Sequence, residues 1–130
     1  MAECAVILYD KDKRILIQHR TDDAPKDPDR WGFFGGCLEK GETPLDAAKR
    51  ECSEELEYSL ENPLLILKIN QDNTEAYVFI EKYNPKKKLV LKEGKDMKWF
   101  KIKDIDKINM VPHCKEILEK IEKTLDKHFR

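Results

Sequence analysis

Gly36-Cys37-Leu38-Glu39-Lys40-Gly41-Glu42-Thr43-Pro44-Leu45-Asp46-Ala47-Ala48-Lys49-Arg50-Glu51-Cys52-Ser53-Glu54-Glu55 leads from a glycine-headed loop into a helix with a defined start. Thr43 suits the N-cap and Pro44 the first helical position. Asp46, three residues after the cap, completes a capping-box pattern. Leu45, Ala48, Cys52 and Leu56 recur at helical spacing and predict the buried stripe, with the helix ending near Tyr58. Glu51, Glu54 and Glu55 stand at i, i+3 and i+4 and share a neighbouring face. Like charges so placed cost helix stability, and a hard divalent cation would relieve them by taking oxygen ligands. On the helix alone, the first reading of the three is a solvated acidic face.

Ahead of this stretch, residues 3–9 predict a strand, with Cys4, Val6 and Leu8 on one face and Ala5, Ile7 and Tyr9 on the other. Both faces are largely apolar, so burial on both sides is expected. Asp10 to Lys13 form a polar turn, and Arg14 to His19 return as a second strand. Residues 21–30 read as a loop, followed by the aromatic and glycine segment Trp31-Gly32-Phe33-Phe34-Gly35-Gly36.

Beyond the helix, strands are expected over Leu64 to Ile69 and Glu75 to Tyr83, joined by the turn Asn70-Gln71-Asp72-Asn73. A Lys-rich connection over 84–96 includes a candidate short strand at Leu89-Val90-Leu91. A further strand covers Met97 to Ile102. A last helix runs from about Cys114 to His128, with Ile117, Leu118, Ile121 and Leu125 inward. Strands interleaved with two amphipathic helices predict an α/β domain with helices on both faces of a mixed sheet, and a single domain over 1–130.

Composition narrows the function classes. The chain has 130 residues and a formal net charge of −1, with both signs interspersed. That balance disfavours disorder and argues against nucleic-acid binding through a broad basic face. No apolar run is long enough to span a bilayer, and no basic, apolar leader precedes residue 3, so no membrane partner and a cytoplasmic location are expected. Cys4, Cys37, Cys52 and Cys114 lie far apart, without zinc-ligand or disulfide-framework spacing.

The loop and helix together carry more than the helix alone. Gly36-x5-Glu42-x7-Arg50-Glu51-Cys52-x-Glu54-Glu55 resembles the Nudix box, G-x5-E-x7-R-E-U-x-E-E-x-G-U with U aliphatic. Both spacers match, as do the glycine, the arginine and all four glutamates. Cys52 stands at the first aliphatic position, where a buried thiol behaves as a small hydrophobe. Glu57 replaces the closing glycine and Tyr58 the last aliphatic residue. Phe34 stands where proline often precedes Gly-Gly. These departures touch the helix end and the loop, away from the carboxylates.

The resemblance implies a Nudix-type α/β/α sandwich with a mixed β-sheet between helices. It implies hydrolysis of a nucleoside diphosphate linked to another moiety, a nucleoside triphosphate or nucleotide sugar, with Mg²⁺ or Mn²⁺ as cofactor. The metal would be held by Glu51, Glu54 and Glu55, with a backbone carbonyl near Gly35 or at Gly36. Glu93 is an additional ligand or base by position, or else a solvated loop residue. Arg50 and Glu42 would pair and hold the loop against the helix, with Gly35 in the supporting shell. Either Glu54 or Glu51 would accept the proton of the attacking water.

Arg20 would reach a substrate phosphate or lie on the surface, and Trp31 and Phe34 would stack on a base or pack in the core. His113 and Cys114 begin the last helix, where some relatives recognise a base. Relatives that read oxidised guanine carry asparagine where Cys114 stands, which weakens that role. The implied partner is a small nucleotide, and a homodimer is compatible with the resemblance. A non-catalytic Nudix-like binding domain is the alternative, although such domains usually lose box carboxylates.

Overall fold

The computed structural model describes residues 1–129. In chain order its elements are β1 (Ala2–Tyr9), β2 (Arg14–His19), β3 (Trp31–Gly32), β4 (Phe34–Cys37) and α1 (Pro44–Leu56). There follow β5 (Leu64–Gln71), β6 (Thr74–Lys82), β7 (Asp96–Lys101), a 3₁₀ turn over Ile102–Lys107, and α2 (Pro112–His128). β1 lies inside a mixed sheet because both its faces are apolar. It runs parallel to β6 along its whole length and antiparallel to β2 and β4 on its other edge. β2 meets β1 only at Tyr9 opposite Ile15, whereas β4 takes Glu3 to Val6. β5 pairs with β6, and β3 and β7 pair with β2.

Each face of the sheet carries its own core. Cys4, Val6, Leu8, Leu16, Phe34 and Phe79 pack against Ala47, Ala48, Cys52 and Leu56 of α1. Ile7, Ile15, Ile17, Val78 and Ile80 pack against Ile117, Leu118, Ile121 and Leu125 of α2. Burying each such aliphatic side chain contributes about 1.5–3 kcal/mol. The predicted layering, the two-faced burial of β1 and the inward set of α2 all hold. Among the described residues no helix is long and apolar enough to cross a membrane.

Four local expectations change. Leu45 is 37% exposed, and Ala47 and Glu55 join the buried stripe instead. α1 starts as expected, with Thr43 and Asp46 bonded reciprocally, but it ends at Leu56. Glu57 adopts the left-handed region at φ 51°, although it lacks glycine's ease there. The β5–β6 turn is only Asp72-Asn73, at φ 49° and 63°, which matches a two-residue hairpin turn and leaves Asn70 and Gln71 in β5.

Leu89-Val90-Leu91 forms no strand. Its segment follows the end of α1, where the N–H groups of Val90 and Lys92 donate to the carbonyls of Leu56 and Glu55. These bonds satisfy two of the carbonyls a helix end leaves open.

Truncation should separate the two stripe positions. Leu56→Ala is expected to cost about 2–5 kcal/mol and Leu45→Ala under about 0.5 kcal/mol, read as shifts in urea unfolding midpoints. Comparable losses at both sites would contradict this packing.

Candidate active site

The loop after β4 is fastened to α1 through one guanidinium. Arg50 donates from Nε and Nη2 to the two carboxylate oxygens of Glu42, at 2.8 and 2.9 Å. Nη2 also reaches the Cys37 carbonyl at 3.1 Å. Nη1 donates to Glu51 Oε1 at 2.9 Å and to Glu54 Oε2 at 3.2 Å. The Glu39 N–H closes the loop onto Glu42 Oε1 at 2.8 Å. The bond from Arg50 holds the Glu42 carboxyl below its ordinary range, and the bond to Glu42 pushes Arg50 further up.

Glu55 is only 2% exposed, and its Oε2 accepts from the Gly35 N–H at 2.9 Å. Burial pushes its carboxyl up to about 9, with Glu93 and Glu51 adding like charge and the Gly35 bond opposing. Burial also raises Glu51, against the pull of Arg50. Glu51 lies tight against Gly36: a Cβ there would sit 2.6 Å from Glu51 Oε1, so a larger residue would displace this carboxylate.

Glu93 arrives from the segment that follows the end of α1. Gln18, a buried amide in the apolar strand β2, donates from Nε2 to the Glu93 carbonyl at 2.9 Å. Gly94 turns at φ +89°, where a Cβ would meet the Gln18 side chain.

Every donor here is a hard oxygen, which fits Mg²⁺ or Mn²⁺ in kind. Among the described residues, however, no three His, Cys, Asp or Glu side chains converge as metal ligands. The carboxylates of Glu51 and Glu54 are turned onto Arg50, and binding an ion would require them to share or release Nη1. The enclosed Glu55 carboxyl, facing Glu93 and Glu51, is the feature that a cation would relieve.

Beside these groups lies a cleft of about 310 Å³ whose wall includes Arg20, Lys26, Phe34, Gly35, Gly36 and Glu93. Arg20 donates its Nε to the Lys26 carbonyl. Phe34 is a core residue that also contributes to the wall. Trp31 instead stacks on His19 at 4.3 Å and meets Phe100 edge-on, outside the cleft lining. Glu55 and Glu51 stand behind the lining, next to Gly35 and Gly36, and Glu54 lies on the exposed side of Arg50, outside the lining. Gln18, Lys26 and the cleft residues Glu3 and Gln71 were not among the sequence candidates. Gln18 carried a signal, a lone amide in an apolar strand; Gln71 did not, because it read as a turn.

Comparison with known proteins bears on the family and the fold. A NUDIX domain model matches residues 2–121. Over 52 residues the chain is 44% identical to dihydroneopterin triphosphate diphosphatase of Escherichia coli K12, a stretch covering 39% of this chain and 32% of that protein. The chain thus matches about a third of the length of this curated relative. Among solved structures, MutT Nudix hydrolase from Burkholderia pseudomallei is similar at 22% identity and TM-score 0.78, over 92% of this chain and 96% of that one. The E. coli dihydroneopterin triphosphate pyrophosphohydrolase is similar at 22% identity and TM-score 0.71, over 92% of both chains. At these identities the structural likeness is one of fold.

The Glu55 environment sets a pH dependence. Between its ordinary value of 4.5 and its folded value of about 9, the folded chain holds a proton that the unfolded chain lacks. This contribution is therefore full below the lower value and is lost as pH rises towards the upper one. Glu55→Gln should flatten that part of a Tm-against-pH curve measured in chelator. Added Mg²⁺ should raise the wild-type Tm more at alkaline than at acidic pH, because ligation displaces the proton. Equal slopes for wild type and variant would remove Glu55 as the source.

Proposed function

The chain belongs to the Nudix family of pyrophosphohydrolases, and on that premise we propose that it hydrolyses a nucleoside diphosphate linked to another moiety. The observation that carries this reading is the Arg50 clamp, which gathers Glu42, Glu51 and Glu54 next to Glu55 and beside a cleft of about 310 Å³. The curated relative is named for a heterocycle-bearing triphosphate, so a nucleoside triphosphate or its analogue is placed ahead of a nucleotide sugar. Residues 1–130 are read as one catalytic domain.

Mg²⁺, or Mn²⁺ in its place, would be held by Glu51, Glu54, Glu55, Glu93 and the Gly36 carbonyl; when bound it neutralises phosphate oxygens and acidifies water. The chain's own groups supply the rest. Arg20 and Lys26 on the cleft wall draw in the anionic chain and offset its charge. Water attacks one phosphorus in line, a new P–O bond forms, and the bridging P–O bond breaks with its electron pair leaving on the departing phosphate.

Glu54 is assigned as the proton acceptor over Glu51. Its side chain is 59% exposed and can pass the proton to solvent, whereas Glu51 is 14% exposed and pressed against Gly36. Arg50 works as a positioning residue, and Trp31 is left in packing.

A panel of nucleoside triphosphates, nucleotide sugars and dinucleoside polyphosphates, assayed with Mg²⁺ and Mn²⁺ for released phosphate or pyrophosphate, tests the function. Turnover that chelator abolishes is expected. Glu54→Gln should lower kcat by about 10²–10⁴-fold with an unchanged circular dichroism spectrum. Metal and nucleotide binding without turnover on any substrate would favour the non-catalytic alternative. An unchanged rate in Glu54→Gln would reassign the base.

A further inference from the structure

We propose that Lys95 is a positioning residue that ties together two walls of the cleft beside the Arg50 clamp: the acidic loop over residues 21–30, with Arg20 and Lys26, and the segment that carries Glu93. The inference rests on reading this cleft as the phosphate site.

The loop poses a problem of charge. Asp22, Asp23, Asp27 and Asp29 crowd residues 21–30, beside a cleft whose lysine and arginine side chains are Arg20 and Lys26. Free carboxylates there would repel a chain of phosphates. One ammonium engages two of the four: Lys95 Nζ donates to Asp22 Oδ1 at 2.5 Å and to Asp29 Oδ1 at 2.6 Å. Of the four, Asp27 alone lines the cleft.

The loop also needs an anchor. Its neck closes where the Arg20 N–H donates to the Arg30 carbonyl at 2.8 Å and the Asp29 N–H to the Thr21 carbonyl at 3.0 Å. Arg20 Nε reaches the Lys26 carbonyl at 2.9 Å, which joins the two cationic residues within the loop. Asp27 and Asp29 hold φ of 49° and 59° without being glycine. Such conformations persist where neighbours over-determine them. Asp29 is the residue that Lys95 grips, with His19 Nε2 at 2.9 Å from the same oxygen.

Lys95 is itself fixed from the other side. Its N–H donates to the His19 carbonyl at 2.9 Å. Two residues earlier, the Glu93 carbonyl accepts from Gln18 Nε2, and Gly94 packs against the same amide. The backbone over 93–95 thus rests on β2, and the Lys95 side chain extends that fixed point across to the loop. Single exposed ion pairs contribute little, but two carboxylates on one ammonium form a network.

Lys95→Met removes both ties and also a positive charge, so a second variant of opposite charge sign is needed. Asp22→Asn combined with Asp29→Asn keeps the side-chain shapes, and asparagine tolerates the left-handed backbone at position 29. This pair weakens the same ties while removing negative charge beside the cleft. Charge alone predicts weaker anion binding in Lys95→Met and tighter binding in the aspartate variant, whereas positioning predicts weaker binding in both. Inorganic tripolyphosphate, titrated by calorimetry into the whole chain in chelator, is expected to bind each about 3–10-fold more weakly than wild type. Lys95→Arg should stay within about 2-fold of wild type, because its fork reaches two carboxylates. Amide deuterium exchange should rise over residues 20–30 in the first two variants and stay unchanged in β1 and β6.

Tighter tripolyphosphate binding by the aspartate variant, wild-type exchange over 20–30 in Lys95→Met, or no saturable binding by the wild type would overturn the proposal. Turnover with Mg²⁺ separates it from the hydrolase reading. In Lys95→Met, KM should rise while kcat stays within about 2-fold, because Gln18 still holds the Glu93 segment. Hydrolysis with KM unchanged in that variant would remove the positioning role and leave the hydrolase. The expected binding and exchange pattern without hydrolysis of any nucleotide would sink the hydrolase and leave the tie.

Discussion

Three carboxylates on one helix face and a fourth on the preceding loop would repel one another unless something between them carried positive charge. Arg50 fills that place. Its fork holds both oxygens of Glu42 and the Cys37 carbonyl on one side, and Glu51 and Glu54 on the other. A lysine could neutralise one of these groups but could not bridge loop and helix along several fixed directions, because an ammonium lacks the planar fork. The loop geometry, the direction of the helix glutamates and the closeness of Gly36 to Glu51 all depend on this one side chain.

The sheet brings the remaining parts to the clamp. β4 lies against β1 on the edge that β2 has left, which puts Gly35 where its N–H meets Glu55. The segment after β6 caps two carbonyls at the end of α1 and then turns at Gly94 over the buried Gln18. Glu93 therefore reaches the site through backbone bonds to α1 and β2. A helix end that needed partners and a strand carrying a buried amide are both satisfied by the same piece of chain.

The cleft beside the clamp is lined by charges of both signs. Its wall carries Arg20 and Lys26, cations suited to phosphate oxygens, together with Glu3 and Glu93.

Much of this was legible along the chain. The Thr43–Asp46 cap, the two-faced apolar pattern of β1, the inward set of α2 and the spacing from Gly36 to Glu55 are local features. A periodicity or a cap is decided by residues a few positions apart. What stayed hidden depends on neighbours distant in sequence. Leu45 has helical spacing but nothing packs over it. Gln71 reads as turn until Asp72 and Asn73 take the left-handed conformations and extend β5. Glu57 holds a left-handed cap without being glycine, which local propensity disfavours. Residues 84–96 have no period because their partners are the last carbonyls of α1. The sequence by itself determined the layers and the carboxylate set. Only the tertiary structure decided which carboxylates Arg50 restrains, how deeply Glu55 is buried and which residues line the cleft, because desolvation and hydrogen bonding are set by whatever else occupies the same space.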